Sequence, residues 1–63
     1  MKMNKVLSYK GFTGSINFDE DANIYYGEVT NIRDVVTFQS ELREELEQAF
    51  IDSVEDYIEF LSL

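Results

Sequence analysis

The segment EELEQAFIDSVEDYIEFLSL, Glu44 to Leu63, closes a chain of 63 residues, and it reads as one long helix. Ser40 is placed as its N-cap, with Glu41 and Glu44 suited to the positive end of the helix dipole, so the helix is expected over about 41–61. At about 100° per residue, Leu42, Leu46, Ala49, Phe50, Ser53, Tyr57, Phe60 and Leu61 fall within an arc of about 120°, the stripe expected to cover a small sheet. Ile51, Val54 and Ile58 lie on a shoulder beside that arc and are expected to stay wet in a monomer. Their i, i+3, i+7 spacing makes them a connected patch, and self-association through it is the expectation. The end of the helix is poorly specified. Asp56 and Glu59 oppose the negative end of the dipole and neither Gly nor Asn is present to cap it, as though a partner or a further segment should follow.

Working back from the helix, the chain reads as strands. FTGSINF places Phe12, Ile16 and Phe18 on one side and Thr13, Ser15 and Asn17 on the other, the period-2 pattern of a half-buried strand over 12–18. DEDAN, Asp19 to Asn23, is a turn, and IYYGEVTN begins a second strand over about 24–31 with Tyr25, Gly27 and Val29 inward. Gly27 in mid-strand is expected to let another backbone come close, that of the helix. A third strand over 35–39 turns Val36 and Phe38 in and Val35 and Thr37 out. VLSY supplies a possible short extra strand over 5–9. The expected fold is a single α+β domain spanning 1–63, a three-stranded antiparallel sheet with one long C-terminal helix on one face.

A chain this short buries only about 60% of the surface it exposes when unfolded, so its core is thin. It contains no Cys and no His, which removes disulfides and the usual zinc sites as supports and leaves self-association. No apolar run approaches the roughly 18 residues of a membrane span, and MKMNKVL lacks the apolar stretch of a secretory signal, so a cytoplasmic location is expected. Thirteen acidic against five basic residues give a net charge of -8, which repels phosphates and favours a basic partner over nucleic acid.

The chemistry-bearing motifs are weak. Asp19, Asp21 and Asn23 match the first three ligand spacings of a calcium loop, but Ile24 stands where glycine is needed and Thr30 where the closing glutamate should be. Without Cys, His or a serine in a G-x-S-x-G turn there is no nucleophile constellation, and Gly11 and Gly14 lead into a strand and not a helix N-terminus. No catalysis, no metal and no cofactor are expected.

Five elements in order carry a resemblance: YKGFTGSI (Tyr9–Ile16), FDED (Phe18–Asp21), YGEV (Tyr26–Val29), IRDVVTF (Ile32–Phe38) and AFIDSVEDYIEF (Ala49–Phe60). Together they resemble the N-terminal domain of the HicB family of bacterial antitoxins, in the branch that continues into a ribbon-helix-helix DNA-binding segment. The resemblance implies a partial ribonuclease-H-like fold used without ribonuclease activity. It also implies a toxin-neutralising role, in which the domain covers a small basic mRNA ribonuclease of the HicA type. Asp19, Glu20 and Asp21 match the family's acidic turn, and they are the expected toxin interface together with Tyr25 or Tyr26. In that branch the helix leads onward into the DNA-binding segment, whereas this sequence stops at Leu63, so operator binding is not expected of it. The alternative is a homodimeric or larger homo-oligomeric HicB-like domain without a toxin partner.

Overall fold

The structure, a computed structural model, describes residues 6–63. Five short strands precede one helix: β1 Val6–Tyr9, β2 Phe12–Ser15, β3 Asn17–Asp19, β4 Ile24–Glu28, β5 Thr37–Ser40 and α1 Arg43–Leu61. β3, β4 and β5 form an antiparallel three-stranded sheet, and β1 pairs with β2 as a separate antiparallel ribbon. The fold is therefore α+β, with the optional N-terminal strand present as β1. The expected beginning of that strand at Lys5 lies outside the described residues.

The β1–β2 connection is a two-residue turn with Lys10 at φ 50° and Gly11 at φ 83°. Positive φ at both central positions is the hairpin turn whose twist matches that of the strands, which is why glycine is needed at Gly11. β3 and β4 are joined by Glu20–Asn23, where Asp19 Oδ1 accepts from the N–H groups of Asp21 (3.0 Å) and Ala22 (3.3 Å) and Asn23 takes φ 57°. The calcium-like spacing is thus hairpin-turn chemistry.

The strand expected over 12–18 is broken at Ile16. Gly14 opposes Val29 and Asn17 opposes Tyr26, so the register is the same on either side of the break. Between them the Glu28 N–H donates to the Ser15 hydroxyl (3.1 Å) in place of a ladder bond. Beyond it, Thr30 N–H donates to the Thr13 carbonyl (2.9 Å), which ties the ribbon to the sheet. Gly27 explains the break. A Cβ there would stand 1.9 Å from the Ser15 carbonyl oxygen, so the backbone that Gly27 admits is the neighbouring strand, and the expected approach of the helix at this residue is not found. It is Gly14 that makes room for the helix, where a Cβ would lie 2.8 Å from the Phe50 ring.

Other boundaries shift for local reasons. The strand expected over 24–31 ends at Glu28, after which Val29 contributes an isolated bridge and Asn31 turns its side chain to Thr13 N–H and the Gly11 carbonyl. The strand expected over 35–39 runs Thr37–Ser40, because Ser40 is still paired with Tyr25. Ser40 is therefore not the N-cap. Its hydroxyl accepts from Leu42 N–H (3.2 Å) in the connecting turn, and Leu42 stands at the helix start without a side-chain cap.

The core is Leu7, Val29, Phe38, Leu46, Phe50 and Val54. Val36 and Phe38 face it, and Val35 faces solvent. Leu46, Phe50 and Val54 are spaced by four and wholly buried, forming a row inclined to the helix axis. Such a row fits the helix, which starts beside β5 and reaches the β1–β2 ribbon, where Tyr9 hydroxyl and Lys10 ammonium (2.9 Å) both donate to the Glu55 carboxylate. Val54, expected on an exposed shoulder, has no exposed surface to offer a second chain, and Ile51 and Ile58 pack partly against the core. Leu42, Phe60 and Leu61, expected to be covered, are exposed because they lie at the two ends of the helix. The helix end is closed after all. Ser62 N–H and hydroxyl both donate to the Ile58 carbonyl, at 3.2 and 3.1 Å.

Gly27→Ala, which collides with backbone, costs more than the roughly 1–3 kcal/mol of an ordinary overpacked site, and it lowers the thermal midpoint more than Gly14→Ala, whose clash meets a side-chain ring. The Tyr9 hydrogen bond and then that of Lys10 hold the Glu55 carboxyl below its ordinary value of 4.5, while Glu55 holds Tyr9 and Lys10 above 10.0 and 10.5. The Glu55 contribution is present above pH 4.5 and is lost as pH falls through its depressed folded pKa; the contributions of Tyr9 and Lys10 are present below about pH 10 and lost as pH rises through theirs. Thermal midpoints of wild type and Glu55→Gln measured from pH 3 to 11 should therefore differ most between about pH 5 and 10 and converge at both extremes.

Candidate functional site

With one helix covering one face of the sheet, alternation along the strands sends a second set of side chains to the opposite face. Ser15, Asn17 and Asp19 come from β2 and β3, Ile24, Tyr26 and Glu28 from β4, and Thr37 and Gln39 from β5. Together they line a shallow basin of about 700 Å³. Gly27, which has no side chain, contributes only backbone to the lining.

The chemistry of the basin is anionic and amphipathic. Asp19 and Glu28 contribute carboxylates, the serine, threonine, asparagine and glutamine contribute hydrogen-bonding groups, and the half-exposed Tyr26 ring and Ile24 contribute apolar area. Among the described residues no lysine or arginine lines it. Asp19 holds the β3–β4 turn with one oxygen, Oδ1, so its orientation is set by the backbone it caps.

The expected interface residues are divided by the structure. Asp19 and Tyr26 meet in the basin, and Glu20 and Asp21 are exposed on the adjoining turn without lining it. Tyr25 points the other way, opposite Phe18 in the ladder, with the two rings 4.7 Å apart on the helix side. Neighbouring tyrosines in a strand cannot share a face, and this divides the pair. Glu28, Ile24, Thr37 and Gln39 were not expected at the site. Counting by twos from Tyr26 finds Ile24 and Glu28, but Thr37 and Gln39 require the β4–β5 pairing.

A second exposed feature is apolar. Phe12 meets Tyr57 edge-on at 5.9 Å, Tyr57 stacks with Phe60 at 6.4 Å, and Phe60, Leu61 and Leu63 are 62%, 58% and 97% exposed. The Tyr57 hydroxyl donates to Asp34 (2.7 Å), anchoring this cluster to the β4–β5 connection. Among the described residues no group of three or more His, Cys, Asp and Glu is arranged to hold a metal ion, and no helix is long and apolar enough to cross a membrane.

No family model matches the chain, and no curated protein or solved structure matches it.

The division of the tyrosines is testable by stability alone. Tyr25→Ala removes a ring packed on the helix side and should cost about 1–3 kcal/mol in urea denaturation, whereas Tyr26→Ala, on the open face, should stay within about 0.5 kcal/mol of wild type.

Proposed function

We propose that this chain is a non-catalytic, HicB-like protein-binding module of a toxin–antitoxin pair, neutralising a small basic ribonuclease of the HicA type by covering its RNA-binding surface. The observation that carries this reading is the open sheet face, an acid-edged basin around Tyr26 with no cationic lining among the described residues, on a chain of net charge -8. A surface built to hold RNA phosphates is cationic, and an anionic, hydrogen-bonding face is its electrostatic complement. Tyr26 adds an amphipathic ring of the kind that anchors protein interfaces and stacks against arginine. The partial ribonuclease-H-like identity of the fold belongs to the same proposal, supported by the resemblance from Tyr9 to Leu61 and by antiparallel hairpins followed by a single helix. So does a cytoplasmic location, where such a toxin meets mRNA.

A second reading, a homo-oligomer without a toxin partner, is favoured by one specific feature, the uncovered Phe60, Leu61 and Leu63 at the helix end. Val54 takes no part in it.

The two readings separate on mixing the chain with a purified HicA-type ribonuclease. The antitoxin reading expects stoichiometric inhibition of RNA cleavage and an affinity that weakens with salt. It also expects an association rate lowered several-fold in Glu20→Gln/Asp21→Asn, and a loss of about tenfold or more in affinity in Tyr26→Ala. Uninhibited cleavage, with light scattering reporting a homo-oligomer at micromolar concentration, would establish the second reading in its place.

A further inference from the structure

β5 is the outermost strand of its sheet: it is paired with β4 on one side, and among the described residues no strand lies on the other. The Val29 N–H donates to the Val36 carbonyl (2.9 Å), and the same antiparallel register pairs Gly27 with Phe38 and Tyr25 with Ser40. Hydrogen bonding alternates along such a ladder, so Phe38 and Ser40 direct their backbone groups at β4 while Thr37 and Gln39 direct theirs outward. The edge is short, but it lacks three of the usual protections. Thr37, Phe38, Gln39 and Ser40 include no charge and no proline, and no bulge interrupts their pairing.

The groove beside this edge is built for one sign of charge. It is lined by Gln39 and Ser40 from β5 and by Glu45, Gln48, Ala49 and Asp52 from α1, in a space of about 400 Å³. Glu45 and Asp52 place their carboxylates along the groove, and Gln48 Nε2 donates to Asp52 Oδ1 (3.0 Å), which steadies one of them. On the opposite side Thr37 and Gln39 are also the rim of the basin, and the neighbouring Val35 is 81% exposed.

We infer that the β5 edge accepts an extended, lysine- or arginine-bearing segment of a basic partner as an added antiparallel strand. Main-chain hydrogen bonds to Thr37 and Gln39 supply the pairing, and alternate cationic side chains of the segment reach Glu45 and Asp52. Charge decides against a second copy of this chain as the occupant. Pairing two β5 edges would bring two sets of Glu45 and Asp52 along one seam between bodies of charge -8. The inference rests on the reading of the chain as a binder of basic proteins, and it names an edge that the basin alone does not require.

The test uses the full chain and a synthetic peptide of about nine residues alternating lysine with valine, with an alternating glutamate–valine peptide as control. Amide exchange followed by NMR should show the Thr37 and Gln39 N–H groups protected on adding the lysine peptide, with protection fading as salt is raised and absent with the control. Gln39→Pro removes an outward N–H without touching the β4 ladder, and should weaken the peptide at least about fivefold, the loss of one backbone hydrogen bond. Because a proline variant can fail to fold, Glu45→Gln/Asp52→Asn on the exposed helix surface is the second arm, with a several-fold loss expected. Lysine-peptide binding that spares Thr37 and Gln39, no binding at all, or protection of those amides by dilution-sensitive self-pairing would each overturn the inference. Inhibition of a ribonuclease that survives Gln39→Pro and the double variant would do so while leaving the basin reading standing.

Discussion

The Phe50 ring rests on the bare backbone of Gly14, closer than any Cβ would permit, with the Phe38 ring tilted against it at 5.3 Å. That contact sets how near the helix can lie to the strands, and the burial of Leu46 and Val54 one turn to either side depends on it. A chain of 63 residues has few such contacts to spend, since each fully buried apolar side chain contributes about 1.5–3 kcal/mol against a total stability of about 3–9 kcal/mol. Among the described residues the largest fully buried side chains, Phe50, Leu46 and Val54, all belong to this helix row.

Concentrating the core on one face has a direct consequence for the other. With a single helix packed on the sheet, the reverse face is left, among the described residues, to carry the basin. A side chain at Gly27 would point to the core side, into the Ser15 carbonyl and the Phe38 ring, so strand packing requires that it carry none.

Charge is distributed with a similar economy. Lys10, at the tip of the β1–β2 ribbon, pairs with Glu55 and clasps the ribbon to the helix. The basin and the β5 groove are left lined by carboxylates and neutral polar groups. Surfaces of this kind steer cationic partners and repel copies of themselves, which bears on both proposals.

The sequence alone determined the α+β order, the inward set of Val36 and Phe38, the turn at Asp19 to Asn23 and the acidic balance, because alternation, turn chemistry and charge are local properties. Tertiary structure decided the rest. Which face of the helix is buried depended on where it crosses the sheet, so a four-spaced row through Val54 prevailed over an arc averaged along the whole helix. Ser40 was claimed by Tyr25 across the ladder before it could cap anything, and Gly27 faced a strand that no local pattern announces. The basin joins Asp19, Tyr26 and Glu28 to Thr37 and Gln39, residues from three strands, and only the register of the sheet brings them within reach of one another.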